Sequence, residues 1–144
     1  MVRAIVESTG FFNPAEVGIA VELVDERLTK GPASGYHFVF AERDGRVGGY
    51  TCYGHITGKA ASYDLYWIAV DASHRRGGLG RRLLDESERL IRESGGQRIY
   101  AETSTRPQYL STRAFYERTG YRLVSQLDDF YAPGDGRATY LKIL

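Results

Sequence analysis

The chain predicts a single α/β domain: a mixed central β-sheet of about six or seven strands with helices on both faces. Three observations carry this. Apolar period-2 runs alternate with period-3.6 runs along the 144 residues, in the order β-α-β-β-β-α-β-α-β-β. Residues 64–102 read as a buried strand, a glycine-rich turn flanked by arginines, an amphipathic helix and a second strand. An Asp44-Gly45 pair between two strand-like runs marks a hairpin.

The elements follow in order. Residues 2–6 alternate weakly and predict a first strand. Asn13 and Pro14 are suited to cap and open a helix, and Val17, Ala20, Val21, Val24 and Leu28 repeat with a helical period through residue 29. A loop at 31–35 leads to strands over 36–41 and 47–54, the two arms of the hairpin. Residues 57–61 make another turn, and 62–70 form the strand that feeds the glycine turn. The helix beyond it carries Leu79, Leu83, Leu84, Leu90 and Ile91 on one side, and Gly95-Gly96 ends it. Residues 98–102 predict a strand, 110–119 a helix closed by Gly120, and 121–124 and 138–143 the last strands, with a turn at 133–136 between them.

Composition narrows the function. The formal charge is +1, too near neutral for a surface that binds nucleic acid through bulk electrostatics. The single cysteine, Cys52, can form no intrachain disulfide and fits a reducing, cytoplasmic setting; it reads as a core residue. Three scattered histidines and one cysteine give no metal-ligand spacing, so no metal is expected. No run reaches membrane-spanning length, and the first residues are too short in apolar run for a signal peptide. Eleven tyrosines suit an aromatic-lined pocket as well as strands. Phe11, Phe12, Tyr36, Tyr50 and Tyr53 are candidates for its walls, with core packing the plainer reading of each.

The glycine turn holds the strongest chemical signal. Gly77, Gly78 and Gly80 carry no Cβ, so a ligand can approach the backbone closely. The helix that follows directs free N–H groups and the positive end of its dipole at the same spot. Arg75, Arg76, Arg81 and Arg82 add charge. Such a turn suits a phosphate or pyrophosphate. Neither the dinucleotide G-x-G-x-x-G nor the G-K-[ST] P-loop pattern is present.

Arg75-x-x-Gly78-x-Gly80 resembles the R/Q-x-x-G-x-G/A signature of the GNAT N-acetyltransferase superfamily. Arg113-Ala-Phe-Tyr116-Glu-Arg-Thr-Gly120-Tyr121 is similar to that family's F/L-Y-E-x-x-G-F/Y segment, at the expected distance. The likeness is strongest over residues 63–121. It implies a GNAT fold, acetyl-coenzyme A as cofactor, and transfer of an acetyl group to a primary amine by direct attack in a ternary complex. The pyrophosphate is then held by Arg75, Arg76, Gly77, Gly78, Leu79, Gly80 and Arg81, with Arg113 a further contact. The strand residues Ile68, Ala69 and Val70 pair with the pantetheine arm, and an N–H near Trp67 or Ile68 faces the oxyanion.

The resemblance places the general acid on Tyr116. Asp64 and Glu102 are the candidate bases, since the strands holding them would part at the cleft. The family often has Asn seven residues before that tyrosine; here Tyr109 stands there, which leaves the adenosine-side contacts open to Thr103, Ser104 and Arg113. Arg113 and Arg118 are candidates for the 3′-phosphate, as residues of one helix face. Asp128, Asp129 and Asp135 lie in a tail segment that could fold over the acceptor.

The acceptor expected from this reading is a small-molecule amine such as an amino acid or a polyamine-like amine, with no nucleic acid or membrane partner. The resemblance leaves a homodimer open. The alternatives are a coenzyme-A-binding sensor without turnover and an acetyltransferase acting on protein N-termini or lysines.

Overall fold

The computed structural model describes residues 2–8, 14–59, 61–72 and 78–144. Its elements run α1 (Val2–Ser8), α2 (Pro14–Lys30), β1 (His37–Arg43), β2 (Arg46–His55), β3 (Ser62–Val70), α3 (Leu79–Glu93), β4 (Arg98–Ser104), α4 (Leu110–Arg118), β5 (Arg122–Ala132) and β6 (Asp135–Ile143). Six strands form one sheet in the order β1-β2-β3-β4-β6-β5. Only β3 and β4 pair in parallel; the other neighbours are antiparallel.

The expected first strand is instead helix α1. Val2, Ile5 and Val6 are buried together at i, i+3, i+4, and Arg3 and Glu7 pair across one turn at 3.6 Å. That spacing makes one apolar stripe on a helix, whereas on a strand it would split between two faces. The expected last hairpin is also longer than its apolar pattern. β5 runs on through Asp128, Asp129 and Phe130 to Ala132, because the strand pairs with β6 up to Leu127 and again at Ala132, on either side of an irregularity at 128–131.

Helices cover both faces. Tyr50, Cys52 and Ala69 pack on one side with Val2, Val6, Val17 and Ala20 of α1 and α2. Tyr53, Leu65, Ile99, Ala101, Ala138 and Tyr140 pack on the other with Leu84 and Ile91 of α3 and Tyr116 of α4. A buried polar contact ties β2 to α3. Ser87 Oγ donates to the Leu83 carbonyl at 2.8 Å, so the 2.6 Å contact with Thr51 Oγ1 takes its proton from Thr51.

One irregularity shapes the centre of the sheet. Cys52 pairs with Trp67 and Tyr53 with Leu65, which leaves Tyr66 as an extra residue in β3. This bulge lets Leu65 face α3 while Trp67 and Ala69 face α1 and α2. Gly54 accommodates it. A Cβ there would meet the Tyr66 ring at 2.9 Å and crowd the Gly35 carbonyl oxygen. Gly54→Ala is therefore expected to destabilise by about 2 kcal/mol, read as a lower midpoint in urea; an unchanged midpoint would show that the strand gives way freely.

Candidate active site

β3 and β4 pair from Ser62↔Arg98 to Leu65↔Ala101 and then stop, although β3 continues to Val70 and β4 to Ser104. The strands part at the Tyr66 bulge. Between them opens a cleft of about 1010 Å³, ample for a cofactor-sized ligand. Its strand wall is formed by residues 66–70 and 102–104; its helix wall comes from the start of α3 and from α4. Beyond the parting, the β4-facing edge of β3 has no ladder with β4 and is available to an extended ligand.

Of the residues singled out in the sequence, Ile68, Ala69, Val70, Gly78, Gly80 and Arg81 line this cleft, as do Glu102 and Tyr116. Gly78 caps α3 with φ of 71°, a conformation that favours glycine. A Cβ on Gly80 would lie 3.5 Å from the Phe115 ring and 3.6 Å from Val70, which places α3's first turn against both α4 and β3. Leu79, between them, is 1% exposed, and its side chain belongs to the core. Arg75, Arg76 and Gly77 lie outside the described residues, as do Phe11, Phe12 and Asn13.

Arg113 does not line the cleft. Its Nε donates to the Tyr140 hydroxyl at 2.9 Å and its Nη2 to Gln126 Oε1 at 3.2 Å. Arg118, on the same helix, does line it. Five residues at 3.6 per turn put the two about 140° apart around α4. Tyr50 and Tyr53 are buried in the sheet rather than in the cleft, and Tyr36 meets Tyr66 edge-on at 5.5 Å between centroids. Cys52 is fully buried, and burial pushes its thiol up to about 12, so it is no nucleophile.

Tyr116 is 4% exposed and packs against Tyr121 and Tyr140 at 5.4 and 5.7 Å. Burial raises its pKa beyond the ordinary tyrosine range. The phenol therefore keeps its proton at working pH. Asp64 lines a smaller adjoining hollow of about 140 Å³ shared with Leu65, Tyr66 and Glu102. Glu102 and Tyr66 border both spaces, whereas Asp64 lines the smaller one and not the main cleft. Burial, and then the Glu102 charge, raise the Asp64 carboxyl above its usual value.

Sequence reading did not single out Glu16 or Arg106 for the site. Arg106 lies 4.0 Å from Glu16 on α2 and 3.5 Å from Asp135 on β6, and Ser104 Oγ donates to Asp135 at 2.5 Å. Arg106 also covers the Tyr109 ring at 5.4 Å. Glu16, Glu102 and Asp135 against the single cation Arg106 leave the α2, β4 and hairpin side of the cleft with an excess of acidic groups, whereas Arg81 and Arg118 line the helix side. Nothing local in sequence announces this grouping, because α2, β4 and β6 bring it together from distant positions.

A mixed sheet that parts its central parallel pair over a cleft, with a glycine-led helix start at the rim, defines the class of acyl-coenzyme A-dependent acyltransferases. The model of the acetyltransferase (GNAT) family matches residues 6–121, and the chain belongs to that family. It is 36% identical over 97 residues to blasticidin-S acetyltransferase of Streptomyces morookaense, a match that covers 67% of this chain and 65% of that protein's length. A crystal structure of a GNAT-family protein from Desulfovibrio desulfuricans superposes with a TM-score of 0.95 at 48% identity, covering 99% of this chain and 89% of that one. An aminoglycoside 6'-N-acetyltransferase complexed with coenzyme A shares the fold, with a TM-score of 0.75 at 18% identity over 99% of this chain and 88% of that one.

Acetyl-coenzyme A is the cofactor of this family. The cleft fits it: a stretch of β3 with no ladder to β4 for an extended amide-bearing arm, and a glycine-capped helix start with Arg81 for phosphates. No helix among the described residues is long and apolar enough to cross a membrane.

Proposed function

We propose that this protein transfers the acetyl group of acetyl-coenzyme A to a primary amine on a small cationic molecule. The observation that carries the reading is the charge layout of one cleft. The helix side, with Arg81 and Arg118, suits the anionic donor, and the side with Glu16, Glu102 and Asp135 suits a cationic acceptor. The partial match to an acetyltransferase named for blasticidin S supports a small acceptor.

The residues divide the work as follows. The bound donor supplies a thioester. Backbone groups of Ile68 and Val70 hold its arm along the strand edge, with Ala69 between them turned toward β2, and the helix start at Gly78 to Arg81 holds its phosphates. A protonated amine is no nucleophile, so it first gives a proton to Glu102, which passes it toward Asp64 and the smaller hollow. The free amine then attacks the carbonyl carbon. A C–N bond forms and the C–S bond breaks; the nitrogen gives its second proton to solvent to leave a neutral amide, the departing thiolate takes the Tyr116 proton, and solvent later restores the phenol. A backbone N–H beside the parting faces the oxyanion.

Thiol release from acetyl-coenzyme A, measured across aminoglycosides, blasticidin S, polyamines, amino acids and alanine-started peptides, tests this. Release that depends on a small cationic amine is the expected result. Release with peptides alone would move the activity to protein N-termini, and tight coenzyme A binding without release would make the protein a sensor. Within the proposed mechanism, Glu102→Gln is expected to lower kcat/KM about thirtyfold. Asp64→Asn should cost less, because Asp64 does not line the main cleft. The reverse ranking would make Asp64 the direct base.

A further inference from the structure

Arg137 on β6 carries a cost that its own packing does not explain. Its Nε is buried and has no hydrogen-bond partner, a condition that buried N–H groups rarely tolerate. Its guanidinium carbon lies 4.1 Å from the centroid of the Phe130 ring, and its Nη1 is 3.9 Å from Glu102 Oε1.

The platform under Arg137 is built by a large irregularity in the edge hairpin. Leu127 pairs with Arg137 and Ala132 with Asp135, so residues 128–131 of β5 stand opposite Gly136 alone. Asp129 there has φ of 55°. A Cβ on Gly136 would meet the Leu127 carbonyl oxygen and Thr105 Oγ1, both at 2.8 Å, so the hairpin closes tightly at this point. The looped-out stretch holds both Phe130, which stacks on Arg137, and Tyr131, which lines the cleft.

Arg137 itself is absent from the cleft wall and acts from behind it. In the β4–β6 ladder it lies opposite Ser104, one step diagonal to Glu102 on the same face. The Glu102 side chain is 51% exposed and needs a partner to hold one direction. Its surroundings are otherwise largely acidic or phenolic: Asp64 and Tyr66 on β3, Tyr131 on β5, Asp135 on β6 and Glu16 on α2, with Arg106 engaged by the last two. A guanidinium fixed by stacking is a better anchor here than a flexible ammonium.

We infer that Arg137, clamped on Phe130, is a positioning residue that holds the Glu102 carboxylate toward the acceptor amine. This inference rests on the reading of Glu102 as the base.

The test compares Arg137→Gln, Arg137→Lys and Phe130→Leu alone, and Arg137→Gln combined with Glu102→Gln, using the acceptor found above. Arg137→Gln is expected to lower kcat about tenfold with KM for acetyl-coenzyme A unchanged. Arg137→Lys should recover part of the loss, and Phe130→Leu should reproduce part of it. In the Glu102→Gln background, Arg137→Gln should cost nothing more, since both substitutions disable the same group. Equal losses in both backgrounds, or wild-type kcat in Arg137→Gln, would overturn the positioning role while leaving the base intact. Wild-type turnover in Glu102→Gln alone would overturn the base reading and this inference with it.

Discussion

Replacing Tyr116 by Phe is expected to lower kcat by about a hundredfold or more, with KM for acetyl-coenzyme A nearly unchanged. Only the hydroxyl is lost, and the ring keeps its contacts with Tyr121 and Tyr140. The direction follows from proton affinities. A free thiol titrates near about 8.5 and a free tyrosine near about 10, so the transfer is mildly uphill in water. Burial raises Tyr116 further, so the phenol is fully protonated and ready to donate when the thiolate leaves.

The sign of the pH dependence is then fixed. An acid is lost as pH rises through its pKa, and that of Tyr116 lies above the ordinary tyrosine value. Tyr116 should therefore impose no fall in kcat below a pH of about 10. Steady-state kinetics from neutral to alkaline pH, with thermal melting as the control for folding, checks both statements. Wild-type kcat in a folded Tyr116→Phe would remove the general-acid role and leave the proton to water.

Much of this site could be read in the sequence because it is local. The strand over 62–70 and its successor helix are consecutive in the chain, and their apolar periods differ cleanly. The same holds for the helix that carries Tyr116, found one residue shorter than its pattern suggested. What was not legible depends on partners. The Tyr66 bulge exists only through the register between β2 and β3, and no property of Tyr66 by itself marks it. Arg113 and Arg118 look alike in sequence, and only the phase of α4 against β6 separates the one bonded to Tyr140 from the one in the cleft. Phe130 and Asp129 break a strand pattern, yet they lie within β5 because an edge strand can loop out without losing the ladder on either side. The weak alternation at residues 2–6 misled because Ile5 and Val6 are β-branched, a strand preference that burial on a helix overrode.

Lys142→Met is expected to destabilise the fold by about 3 kcal/mol, and to lower Tm by roughly 10 °C. The cause is Glu88, which sits in the apolar stripe of α3 between Leu84 and Ile91 and is 2% exposed. A charge at that position costs desolvation unless it is fully paired. Lys142 Nζ donates to Glu88 Oε1 at 2.9 Å, and the Tyr121 hydroxyl donates to Oε2 at 3.0 Å. The same ammonium donates to the Thr119 carbonyl at 3.0 Å, at the end of α4. One cation therefore joins α3, α4 and β6 beneath the wall that holds Tyr116. Methionine keeps much of the lysine's length but leaves the carboxylate with the tyrosine alone. The double variant Glu88→Gln/Lys142→Met removes the stranded charge while retaining an acceptor for Tyr121, and should recover most of the loss. Urea denaturation of the four proteins in this cycle measures it. If Lys142→Met and Glu88→Gln/Lys142→Met were equally unstable, the loss would come from the packing of the lysine stem against Tyr121, 5.6 Å from the ammonium, and not from the buried charge.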